Sequence, residues 1–97
     1  MTEPWRIYLD GLHLDADDAR AAAWARDETV RQRAHDAYRA TADALTAQGW
    51  AAEDALQLTH GFGQDVIGWL DQGASTREDL RRRLEERWKA WEQRDAR

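Results

Sequence analysis

Apolar side chains recur at steps of three and four along most of the chain, the period of a helix that buries one face. The clearest run is Leu80, Leu84, Trp88 and Trp91, which follows Ser75-Thr76-Arg77-Glu78, a capping-box pattern. Glu78, Asp79 and Glu85 each stand four residues before a base (Arg82, Arg83 and Lys89), a spacing that supports an exposed helix face. This predicts an amphipathic C-terminal helix.

Earlier in the chain, Asp15-Ala16-Asp17-Asp18 places carboxylates where a helix start favours them. Val30, Ala34, Ala37, Tyr38, Thr41 and Leu45 then form a narrow inward stripe. Gly49 followed by Trp50 predicts a glycine stop with the next side chain folded back on the helix. The stretch from Asp15 to Gln48 reads equally as one helix or as two broken near Arg26-Asp27-Glu28. A further helix is expected over Ala51 to Thr59, then a turn at His60-Gly61-Phe62-Gly63, then a short helix from Gln64 to Gln72 closed by Gly73. At the N-terminus, Trp5, Ile7 and Leu9 alternate with Arg6, Tyr8 and Asp10, a strand-like period of two. Pro4 and Gly11 at its ends fit a short helix as well. The expected fold is all-α: a small single-domain bundle of about four helices, with an N-terminal arm over 1–14 and a helical domain over 15–97.

Composition narrows the picture. In 97 residues there are six tryptophans, while Leu, Ile, Val and Phe together number 14. The core must therefore be built from few, large pieces. Absence of cysteine excludes disulfides, thiolate zinc sites and cysteine nucleophiles. No run approaches the roughly 18 apolar residues of a membrane span, and the first twenty residues lack a basic-then-apolar leader pattern. No membrane association and a cytoplasmic location are the expectations. The net charge of −5 is unevenly placed: residues 50–73 hold four acids and no base, residues 74–97 six acids and eight bases.

Candidate chemistry is sparse. Measured from Asp15, a calcium loop would want Gly and Glu where Arg20 and Arg26 stand. His13, His35 and His60 lie 22 and 25 residues apart and outside any two-ligand helical spacing, and Arg31 and Arg39 flank His35. Ser75 and Thr76 read as caps, and Gly61-Phe62-Gly63 is too short for a phosphate loop. We expect no cofactor, no metal and no enzyme activity.

The segment Leu56-Gln57, His60-Gly61-Phe62, Ile67 and Leu70 resembles a helix-turn-helix over residues 51–72 in its apolar and glycine offsets. That resemblance implies DNA reading from the second helix, with Gln64 toward bases and Arg81, Arg82 and Arg83 on phosphates. The would-be reading helix holds Asp65, no base and two glycines, so nucleic acid is the lesser expectation. The leading one is a small acidic interaction module that binds another protein stoichiometrically, as adaptor, accessory subunit or inhibitor of a nucleic-acid enzyme. A basic partner suits the acidic middle, and a homodimer is left open. Tryptophan is enriched at the energetic centres of interfaces. The residues expected at the contact are Trp5, Trp24, Glu53, Asp54, Asp65 and Trp69.

Overall fold

A computed structural model describes residues 3–15, 18–19, 28–74 and 76–95. Four helices order them: α1 Pro4–Gly11, α2 Glu28–Ala47, α3 Ala52–Asp71 and α4 Arg77–Asp95. Among the described residues every regular element is helical, so the all-α bundle is what forms. α2 packs along both α1 and α3, and α4 lies across α1 and α3.

The N-terminal segment is a helix. Pro4 supplies a first-turn residue with a preset φ, and Trp5, Tyr8, Leu9 and Leu12 are buried, at helical rather than alternating spacing. Gly11 does not end this helix by turning. It is the last helical residue, and an added Cβ would meet the Cβ of Ala37 at 3.0 Å, so glycine there sets the close approach of α1 to α2. The left-handed residue is His13, at φ 53°.

The ends of α2 and α3 follow the glycine pattern. Gly49 (φ 102°) and Gly73 (φ 97°) adopt the left-handed conformation. Beyond them the N–H of Trp50 donates to the Leu45 carbonyl (3.1 Å) and that of Ala74 to the Trp69 carbonyl (2.8 Å), the six-to-one bond of a Schellman motif. Asp15 and Asp18 cap each other's backbone N–H groups at 3.0 and 3.5 Å. The expected break near Arg26-Asp27-Glu28 lies at the edge of residues 20–27, outside the described residues. At the start of α4, Thr76 accepts from the N–H of Asp79 (3.1 Å), so the cap sits one residue beyond the expected Ser75, itself outside the described residues.

Residues 52–71 form one unbroken helix, which corrects the two helices and the turn expected there. Ala55, Leu58, Thr59, Phe62, Val66 and Leu70 are buried, and this stripe runs through the glycines without a change of phase. A glycine inside a helix costs roughly 1 kcal/mol. Burying Phe62, Val66 and Leu70 on one face contributes about 1.5–3 kcal/mol per side chain, which outweighs that penalty. With no turn at 60–63 the helix-turn-helix over 51–72 does not exist.

The core centres on Tyr8, Leu12, Leu45, Phe62, Val66, Leu80 and Leu84. Tyr8 donates its hydroxyl to the Ala34 carbonyl (3.4 Å) and packs on Phe62 with centroids 6.2 Å apart. Burial pushes its phenol pKa far above the usual range. Thr41 and Thr59 satisfy their buried hydroxyls on the carbonyls of Ala37 (2.7 Å) and Ala55 (2.9 Å). At one end, Trp50, Trp88 and Trp91 make an indole trio with centroids 5.1 to 6.2 Å apart, Trp88 and Trp91 stacked. This trio fastens the α2–α3 connection to α4.

Candidate interaction surfaces

Arginine geometry decides what the surface offers. Arg81 bonds Glu78 (2.6 Å) and Glu85 (3.1 Å), while Arg82 (2.8 Å) and Arg83 (3.2 Å) both bond Asp79. The Arg81 hydrogen bond holds the Glu78 carboxyl below its ordinary pKa, and the same partner raises that of Arg81. Burial raises the Asp79 carboxyl, but hydrogen bonds from Arg83 and Arg82 outweigh it and the net direction is down. These three arginines are held by carboxylates of their own helix. With no second helix beside Gln64 to read bases, the set expected for DNA is not assembled.

Most other described cations are paired too. Arg6 meets Glu3 (3.0 Å), Arg33 meets Asp18 (3.2 Å), Arg87 meets Asp65 (2.9 Å) and Lys89 meets Glu85 (3.6 Å). Arg77 reaches back to α1, donating to the carbonyls of Leu9 (3.2 Å) and Leu14 (3.1 Å) and pairing with Asp10 (2.8 Å). Among the described residues Arg31 and Arg39 are in no ion pair. On the acidic side, Asp43, Glu53, Asp54, Asp71, Glu86 and Glu92 have none. Among the described residues the charges left unpaired are therefore mostly acidic.

The residues expected at a contact separate into groups. Trp5 is 2% exposed, with Arg6 above its ring at 5.1 Å, and belongs to the core rather than to a free surface. Trp24 lies outside the described residues. Glu53 and Asp54 are exposed on the first turn of α3. Asp54, Asp65 and Trp69 share the α3 flank that faces α4, where Asp65 bonds Arg87 and Trp69 lies under the Arg83 guanidinium at 5.9 Å.

Two grooves run beside α3. The one against α4 has a volume of about 280 Å³, a floor of Leu58 and Phe62, a wall of Trp91, and Asp54, Gln57 and Arg87 at its rim. Gly61 lines it, and a Cβ added there would meet nothing within 4 Å. The other groove, against α2, has about 390 Å³ and is lined by Arg31, His35, Tyr38, His60, Gly63 and Ile67 among others. Tyr38 meets His60 edge to face at 6.1 Å. This second groove escapes the sequence because its side chains form a polar and aromatic row rather than an apolar stripe. The nearest signal was Arg31 and Arg39 flanking His35.

Among the described residues no three His, Asp or Glu side chains converge as a metal-holding group, and no helix is long and apolar enough to cross a membrane. Comparison with protein-family models, with curated proteins and with solved structures gives no match.

Proposed function

We propose that this protein works by stoichiometric binding, seating a basic segment of another protein in the groove between α3 and α4. The observation that carries this reading is Asp54, a carboxylate in no ion pair at the mouth of a groove floored by Leu58 and Phe62. A cationic, apolar segment would place its hydrocarbon against the floor and Trp91 and its charge on Asp54, with Glu53 adding to the field. Gly61 supports it: a helical glycine with open space beside it lowers α3 stability yet leaves the backbone bare for a close neighbour. Asp65 and Trp69, further along the same flank, extend the contact, while Trp5 drops out.

Adaptor, accessory subunit and inhibitor of a nucleic-acid enzyme would all use this chemistry. The inhibitor form alone requires that DNA or RNA compete for the partner's basic site.

The test is capture from an extract of the native host by tagged wild type, Asp54→Lys and Gly61→Leu, with helicity checked by circular dichroism. A protein held by wild type, released by salt and lost in both variants supports the reading. Capture that is indifferent to both substitutions would falsify it.

A further inference from the structure

On the side of α3 away from α4, Leu56, His60, Gly63 and Ile67 follow at steps of four, three and four. Across the groove on α2, Arg31, His35, Tyr38 and Ala42 keep the same steps. Both rows sit on one face of the antiparallel helix pair. Leu56 is 46% exposed, the one exposed large apolar side chain among the described residues. A step pattern of four, three, four reads the same in either direction. A second copy turned end for end therefore keeps both rows in register.

We propose that this face joins two copies of the chain, α2 on α2 and α3 on α3, about a twofold axis that crosses both helices within the interface. In that register Leu56 meets Ile67 of the second copy and His60 meets the space left by Gly63. On α2, His35 meets Tyr38. Charge selects the same alignment. Arg39 falls beside Asp36 of the second copy and Arg31 beside Asp43, and symmetry makes each pair twice. Among the described residues Arg31, Arg39 and Asp43 are in no ion pair, and Asp36 accepts the Gln32 amide (3.1 Å). The matching of Arg31 with Asp43 and of Arg39 with Asp36 is what favours a second copy over an unrelated partner. The register also sets Glu53 near Asp71 at the rim and brings Asp36 close to Asp36 of the second copy beside the axis, like-charge meetings that limit affinity, with Arg39 flanking the second of them. This surface lies on the opposite flank of α3 from the Asp54 groove, so either proposal can fail alone.

Sedimentation equilibrium of the full chain tests it. Wild type should be a concentration-dependent dimer. Asp36→Arg and Arg39→Asp should each weaken it about tenfold or more, and the two together in one chain should restore it, because the pair re-forms with opposite polarity. Glu53→Arg should tighten the dimer by removing the rim repulsion, and Asp54→Lys should leave it unchanged. All four positions are exposed, so circular dichroism should show an unaltered fold. A wild type that stays monomeric at the highest attainable concentration overturns the proposal. So does a dimer indifferent to either single substitution, or a double variant weaker than both singles.

Discussion

Arg77 and Asp10 join the first turn of α4 to the end of α1 across 67 residues of sequence, at 2.8 Å. The carboxylate is the lesser part of that contact, since the Asp10 side chain is 75% exposed and such pairs contribute less than about 1 kcal/mol. The guanidinium also supplies donors to the carbonyls of Leu9 and Leu14, at a helix end where cations are favoured. Arg77→Met should destabilise the fold by about 1–3 kcal/mol in urea unfolding, whereas Asp10→Asn should cost less than about 1 kcal/mol. Equal effects would show that the carbonyl contacts are unimportant.

Gly61 and Gly68 lie inside α3 with open space where a Cβ would stand. Replacing either with alanine should raise stability by about 0.5–1 kcal/mol, measured as a higher urea midpoint at unchanged slope. The opposite is expected at Gly49, whose φ of 102° an alanine adopts only with strain, for a loss of about 1–2 kcal/mol. Destabilisation by Gly61→Ala would point to a turn at 60–63 in solution, contrary to the continuous helix.

Acid should weaken the start of α4. The Asp79 side chain is 15% exposed and its carboxyl is held below the ordinary pKa on balance by Arg83 and Arg82. A depressed folded-state pKa adds stability that is present above the unfolded value of about 3.9 and is lost as pH falls through the folded value. Thermal melts from about pH 6 to about pH 2 should show a steeper acid decline for wild type than for Asp79→Asn. Coincident slopes would remove Asp79 from the acid limb.

Alkali acts with the reverse sign. Burial raises the Tyr8 phenol, so its contribution is whole below the unfolded value of about 10 and is lost as pH rises through the folded one. Ultraviolet titration should find one tyrosine that ionises only as the helical signal collapses. Tyr8→Phe should shift that alkaline collapse to higher pH, at the cost of the hydrogen bond to Ala34. A Tyr8 that ionises freely in the folded chain would show that the pocket admits water.

Where a single residue type has one physical meaning, the sequence was legible. Gly49 and Gly73 end helices because only the left-handed conformation closes the last carbonyls, and the stripe of Leu80, Leu84 and Trp88 admits one period. Gly61 and Gly63 have two meanings, turn or tolerated interruption, and the choice rests on whether Phe62 is buried by other parts of the chain. Trp5 to Leu9 fits both periods because the segment is too short to separate them; the closeness of Ala37 to Gly11, which settles its place, is a tertiary fact. Of the candidate contact residues, Asp54, Asp65 and Trp69 share a flank by helical geometry once α3 is known to be continuous. Trp5 was misplaced because nothing local distinguishes a core indole from a presented one.

The indole trio gives the chain a built-in optical reporter. Rings of Trp50, Trp88 and Trp91 at 5.1 to 6.2 Å are close enough for their electronic transitions to couple, so near-ultraviolet circular dichroism should carry a signal specific to the seating of α4. α2 and α3 are joined by a short connection and meet through neighbouring sequence, whereas α4 reaches α1 across most of the chain. On heating, that optical signal should fade before the helical one, as the C-terminal helix lifts from a hairpin that still holds.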